Sequence, residues 1–176
     1  LDCRRQRQMC IRDSIREIGS GNIGATNALR TGNKVLGYST LILDILKAII
    51  PVFYIKFYFS EFIYISSLCV FLGHVFPIWL KFHGGKGVAT YVGILFVIDI
   101  YLGLLFTFVW FFIFIISKFS SLSSLIGSIS IPIYFLFLSQ FNNVLFFSIM
   151  FVLIFFTHRE NIKRLKNKEE TKTKIY

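Results

Sequence analysis

Val88-Ala89-Thr90-Tyr91-Val92-Gly93-Ile94-Leu95-Phe96-Val97-Ile98-Asp99-Ile100-Tyr101-Leu102-Gly103-Leu104-Leu105-Phe106-Thr107-Phe108-Val109-Trp110-Phe111-Phe112-Ile113-Phe114-Ile115-Ile116 is a run of 29 residues with one charge, Asp99. About 20 apolar residues cross a bilayer as a helix. The run is too long for one upright helix and short for two full ones. A carboxylate at bilayer depth is costly, so a turn at Asp99-Ile100 is favoured over one bent helix. This choice fixes the side on which everything downstream emerges.

With the turn, the apolar segments are Leu36–Phe59, Phe62–Leu80, Val88–Ile98, Tyr101–Ile116, Leu122–Leu138 and Val144–Phe156. The fold class predicted is all-α, a polytopic transmembrane helix bundle of about six membrane helices. Pro51 and Pro132 should kink their helices, and Gln140-Phe141-Asn142-Asn143 should make a turn. Seventeen of the 19 Lys and Arg residues then fall on one face, leaving only Lys47 and Lys56. By the positive-inside rule that face is cytoplasmic. Without the turn the asymmetry collapses.

Composition agrees. The chain is 55% hydrophobic, carries 22 Phe, and is 16% charged, against about 25% charged for a soluble domain. A net charge of +10 would suggest nucleic acid in a soluble protein. In a membrane protein it marks the loops instead, so no nucleic-acid partner is expected. Cys3, Cys10 and Cys69 have no metal or disulfide spacing, and Cys69, in an apolar run, reads as a small buried hydrophobe. No metal site is predicted. Residues 1–14 are basic and have no apolar core, so they read as an atypical, non-native segment. Residues 15–165 form one integral-membrane domain without internal repeats, and residues 166–176 a basic tail suited to anionic lipid.

Three polar islands lie on the predicted cytoplasmic face. The first, Arg16 to Arg30, holds Gly19, Gly21 and Gly24 with Ser20, Asn22, Thr26, Asn27 and Arg30. Glycine admits positive φ and close backbone approach, and consecutive free N–H groups form an anion site. The stretch reads as a phosphate or polyol cradle, with a plain glycine-rich connector as the alternative. Gly19-Ser20-Gly21-Asn22-Ile23-Gly24 fits a dinucleotide pattern literally but lacks the preceding strand. Gly85-Lys86 is followed by Gly87, which excludes a Walker A loop.

The second island runs from Gly73 to Thr90 and contains Lys81-Phe82-His83-Gly84-Gly85-Lys86-Gly87 just before a helix. Glycines for close approach, a helix N-terminus and the point charge of Lys86 suit an anion. In the third, His158 and Asn161 are three apart and share a helix face. Ser120, Ser121, Ser123 and Ser124 form a weaker cluster on the same side. Asp44 and Lys47, inside a span, read as a structural ion pair.

These islands, Gly19 to Arg30, Gly73 to Thr90 and His158 to Leu165, resemble in order and spacing the signature regions of the bacterial acyl-phosphate:glycerol-3-phosphate acyltransferases, the PlsY family. The resemblance implies a bundle of seven membrane helices, with residues 1–14 standing where the family has its first. It implies transfer of a fatty acyl group from acyl phosphate to glycerol 3-phosphate, giving lysophosphatidic acid, the first acylation of phospholipid synthesis. It places substrate binding on Ser20, Arg30, Lys86, Ser121 or Ser124, His158 and Asn161, with Gly84, Gly85 and Gly87 shaping the phosphate loop. It implies no cofactor, no metal and no acyl-enzyme intermediate. It further implies a bacterial inner-membrane location, and coupling to the enzyme that makes acyl phosphate and to the next acyltransferase. Two departures stand out: His83 replaces a usual Lys, and Lys168 replaces a Gly two residues before Glu170. A transporter of a phosphorylated small molecule is the rival reading, but repeat symmetry and midplane helix breaks are missing from the sequence.

Overall fold

A computed structural model describes residues 21–30 and 32–173; the expectations for residues 1–14, Gly19 and Ser20 lie outside the described residues. Among the described residues all regular secondary structure is helical. After the short α1 (Ala25–Arg30) come α2 (Lys34–Tyr58), α3 (Ile63–Val75), α4 (Val88–Ile98) and α5 (Ile100–Ser117). α6 (Ser120–Phe137), α7 (Phe141–Thr157) and α8 (Arg159–Lys166) complete the set. Short 3₁₀ turns at Ser60–Phe62 and Ile78–Leu80 flank α3.

The six predicted apolar helices are α2 to α7. Four spans, Lys34–Tyr58, Ser60–Leu80, Ile100–Ser117 and Ser120–Phe137, are long and apolar enough to cross a membrane. α7 joins them if taken with α8, from which it is bent by 63°. α4, with 11 residues, is too short. The chain is a multi-pass membrane protein, and among the described residues four helices, or five with the bent pair, are long and apolar enough to cross.

The break at Asp99 is as the sequence predicts. Its backbone is extended (φ −154°, ψ 130°) and its carboxylate accepts from the Tyr101 amide at 2.7 Å, capping α5. The ammonium of Lys56, at the end of α2, donates to the carbonyls of Val97 at 2.7 Å and Ile98 at 3.1 Å. A cation thus closes the C-terminus of α4. α4 runs beside α2 in the same direction. Gly93 allows this, since a Cβ there would lie 2.7 Å from the Ile45 carbonyl; small residues let membrane helices approach. α5 returns antiparallel, with Phe106 edge-on to Tyr91 at 5.6 Å.

The core gathers Val52, Phe71, Tyr91, Ile94, Leu95, Phe106, Ile131, Phe147 and Met150. Large apolar side chains such as Phe57, Ile65, Phe108, Phe137 and Val152 remain on the outside, as lipid contact allows. Buried Ser67, Ser123, Ser124 and Ser128 donate back to carbonyls of their own helices.

Two local expectations are corrected. Cys69 is exposed rather than buried, because it sits on the outward face of α3. The turn after α6 ends at Gln140. Phe141, Asn142 and Asn143 already belong to α7, where Asn143 accepts from the Tyr64 hydroxyl at 2.7 Å. Pro51 and Pro132 lie inside helices that continue past them.

Candidate active site

The starts of α2, α4 and α6 and the ends of α3, α5 and α7 meet at one end of the bundle. There they enclose a cavity of about 430 Å³ lined by Asn22, Gly24, Thr26, Asn27, Arg30, Lys86, Gly87, Ser121, Ser124, His158, Asn161 and Glu170. All three polar islands contribute. Away from this end the lining turns apolar, through Leu41, Ile45, Val92, Phe96, Phe106 and Trp110.

α1 brings Arg30 to the cavity; its guanidinium donates from Nη2 to the Thr171 carbonyl at 3.2 Å. Burial lowers its pKa first, with Glu170 acting the other way. The glycine loop delivers Lys86. Gly84 and Gly85 donate their amides to the carbonyls of Val75 at 3.1 Å and His74 at 3.3 Å. Gly87 closes the loop at φ +85° and abuts the Phe71 ring, where a Cβ would collide. From the other side, the Thr157 hydroxyl donates to the Lys86 carbonyl at 3.0 Å. Burial, then repulsion from Arg164 and Arg30, pulls the Lys86 ammonium down to about 8, against the pull of Glu170.

His158 sits between α7 and α8, almost fully buried. Its Nδ1 is 2.8 Å from the Ile154 carbonyl, which can only accept, so Nδ1 carries the proton and Nε2 is the acceptor. Burial and Lys86 bring its pKa to about 4, so the ring is neutral at pH 7. One turn on, Asn161 Nδ2 donates to Glu170 Oε1 at 2.7 Å. The Asn161 and Asn22 side-chain carbonyl oxygens are buried without a hydrogen-bond partner among the described residues.

Glu170 is the site residue that sequence reasoning left out. Its carboxylate receives Asn161, the Ser121 hydroxyl at 3.1 Å and Arg164 Nε at 2.7 Å. Burial opposes its ionisation, but these donors hold its pKa below the usual value. The segment after α8 therefore folds back over the site, and the Thr173 amide donates to the Lys118 carbonyl at 3.0 Å. The available signal was the Glu two residues past a usual Gly. Lys168 occupies that glycine position with φ +62°, so the turn survives the substitution.

Of the other predicted residues, Ser124 donates to the Ser120 carbonyl at 2.8 Å and accepts from Trp110 Nε1 at 3.1 Å. Thr26 meets Ser120 across the cavity mouth at 3.4 Å. Gly21 has φ +67° and is exposed outside the cavity lining. Gly84 and Gly85 line a neighbouring cavity instead. Lys81 and His83, from the same polar island as Lys86, are exposed and outside the lining. Among the described residues no cluster of His, Cys, Asp or Glu could hold a metal ion.

Comparison with known proteins agrees with this geometry. A family model described as "Glycerol-3-phosphate acyltransferase" matches residues 7–168. The glycerol-3-phosphate acyltransferase of Pelagibacter ubique (strain HTCC1062) is 68% identical over 166 residues, 94% of this chain and 86% of the relative. That of Wolbachia sp. subsp. Brugia malayi (strain TRS) is 46% identical over 164 residues, 90% of this chain and 84% of the relative. A crystal structure of PlsY, described as an integral membrane glycerol 3-phosphate acyltransferase in its glycerol 3-phosphate form, superposes with a TM-score of 0.82 at 36% identity. The match covers 90% of this chain and 81% of that one. The lysophosphatidic acid form of the same protein gives 0.79 at 35% identity, covering 87% and 80%. With most of its length matched by the family model and a relative more than two-thirds identical, the chain belongs to the glycerol-3-phosphate acyltransferase family.

Proposed function

We propose that this chain transfers a fatty acyl group from an acyl phosphate to glycerol 3-phosphate, releasing inorganic phosphate and lysophosphatidic acid. The observation that carries this reading is the two-ended cavity. At one end Arg30, Lys86 and nearby Arg164 gather around Glu170, while the other lining carboxylate among the described residues, Asp44, is paired with Lys47, leaving excess positive charge for anions. The other end is apolar and suits an acyl chain. The unsatisfied oxygens of Asn22 and Asn161 are acceptors, and the hydroxyls of a glycerol are donors.

In this reading Arg30 and Lys86 bind phosphate, the first through its planar fork and the second as a point charge. His158 and Asn161 orient the glycerol, and Ser121, Ser124 and the Gly87 backbone complete the cradle. The nucleophilic glycerol oxygen attacks the acyl carbonyl carbon, the carbon–oxygen bond to phosphate breaks, and the phosphate leaves with the electron pair. A substrate phosphate oxygen takes the hydroxyl proton. The protein supplies alignment and charge stabilisation, and no acyl-enzyme forms. The site faces the cytoplasm of a bacterial inner membrane. An acyl-phosphate-forming enzyme supplies the donor, and an acyltransferase for the second hydroxyl consumes the product.

Purified protein in lipid vesicles, given acyl phosphate and labelled glycerol 3-phosphate, is expected to yield labelled lysophosphatidic acid. Uptake of label without lipid product would mark a carrier and overturn the reading. Arg30→Ala should raise KM for glycerol 3-phosphate by roughly 10–100-fold, the loss of a charge-assisted contact worth about 1.5–3 kcal/mol. An unchanged KM in that variant would remove Arg30 from the site.

A further inference from the structure

Asp44, Lys47 and His74 have no part in the chemistry above, yet they are polar side chains within two membrane-spanning helices. Such groups are expensive at bilayer depth and persist where they satisfy one another and serve a function. Lys47 Nζ donates to Asp44 Oδ1 at 2.6 Å and also to His74 Nδ1. His74 Nδ1 lies 3.7 Å from Asp44 Oδ1. An ammonium only donates, so Nδ1 is the acceptor and the ring proton is on Nε2. The His74 side chain is 7% exposed and that of Asp44 17%.

An ion pair for stability alone needs only the two partners on α2. This one reaches across to α3, and His74 is the residue on which the glycine loop rests. The His74 carbonyl takes the Gly85 amide and the next carbonyl, Val75, takes the Gly84 amide. The Nε2 edge of the ring lies so close to Gly85 that a Cβ there would collide with it. A Cβ on Gly84 would collide with the His74 carbonyl and the Pro77 ring. Lys86 is the next residue. Asp44 and His74 line both the site cavity and a second cavity of about 390 Å³ that Gly84 and Gly85 also border. Asp44 and His74 thus stand between the two, with Lys47 on the side of the second cavity.

We propose that Asp44, Lys47 and His74 are positioning residues for the phosphate loop. The ion pair fixes the His74 ring, and ring and carbonyl together fix Gly84-Gly85. That in turn sets where the Lys86 ammonium and the following amides stand. The inference rests on the acyltransferase reading for its kinetic readout.

The test compares His74→Ala, His74→Asn and Lys47→Met with the wild-type chain in lipid vesicles. The asparagine places an amide oxygen within reach of Lys47, as Nδ1 does now. Two quantities are measured: kcat and KM for both phosphate substrates, and hydrogen exchange at the Gly84 and Gly85 amides. His74→Ala and Lys47→Met are expected to raise both KM values, lowering kcat/KM by roughly 10–100-fold, with a smaller change in kcat. Exchange at Gly84 and Gly85 should rise, and His74→Asn, which keeps the contact to Lys47 but not the ring edge against Gly85, should recover part of both losses. Wild-type KM values in folded His74→Ala overturn the proposal, as does unchanged exchange at the two glycines. So does a deficit in His74→Asn equal to that of His74→Ala. If the wild-type chain forms no lysophosphatidic acid, the acyltransferase reading fails, and the exchange measurement alone still decides whether His74 positions the loop.

Discussion

Lys86 carries the sharpest pH dependence. With its ammonium pulled to about 8 in the free protein, the charge that attracts phosphate is lost as the pH climbs past that value. An anion favours the charged form, so binding lifts the pKa and weakens where the free amine must be protonated first. KM for glycerol 3-phosphate should therefore be flat from pH 6.5 to 7.5 and rise above about pH 8. Glu170 supports the Lys86 charge. In Glu170→Gln that support is gone, and the rise in KM should begin at lower pH; an unmoved onset would place Glu170 outside the electrostatics of the site. The sign for Glu170 itself is opposite. Its pKa is depressed on folding, so it contributes stability above the ordinary carboxylate range that is lost as the pH falls through its folded value. Proteolysis of segment 167–173 should consequently be slow at pH 7 and fast in strong acid. At this scale His158 and Asn161 were legible, because a spacing of three places two side chains on one helix face. Glu170 was not, because nothing local distinguishes it from the lysine-rich residues around it. Its partners Ser121, Asn161 and Arg164 are assembled only by the fold.

Among the elements, α4 and its flanking turns decide most. The Asp99 break could be read from length and hydropathy, since 29 residues with one charge are too many for one upright helix. The closure of α4 by Lys56 could not, because that contact joins residues 41 and 42 positions apart. Asp99→Ala removes the cap of α5 and should lower stability by about 1 kcal/mol, read from thermal unfolding in detergent. The glycine loop was legible as a loop, but its glycines divide the work in a way the sequence does not state. Gly84 and Gly85 lie against the end of α3, and Gly87 alone needs the left-handed region. Gly87→Ala should therefore destabilise by about 1–3 kcal/mol and lower kcat/KM beyond the loss of folded protein. Unfolding curves paired with kinetics would check this.

At the scale of the whole molecule, the distribution of Lys and Arg announced one charged face, and the structure brings the three islands to one end of the bundle. The number of crossings was less legible, because composition alone does not say that the fourth helix is only 11 residues long. The proposed orientation can be tested with single cysteines in a cysteine-free background. A membrane-impermeant thiol reagent on intact cells should label a cysteine at position 139 and spare one at 168; the reverse would invert the topology. The return of residues 170–173 to Arg30, Ser121 and Lys118 also orders events in time. A ribosome delivers the chain from its N-terminus, so every apolar helix has emerged before Glu170 does. A nascent chain thus passes through an interval in which its apolar helices are already made while the cavity still lacks the wall that residues 170–173 supply.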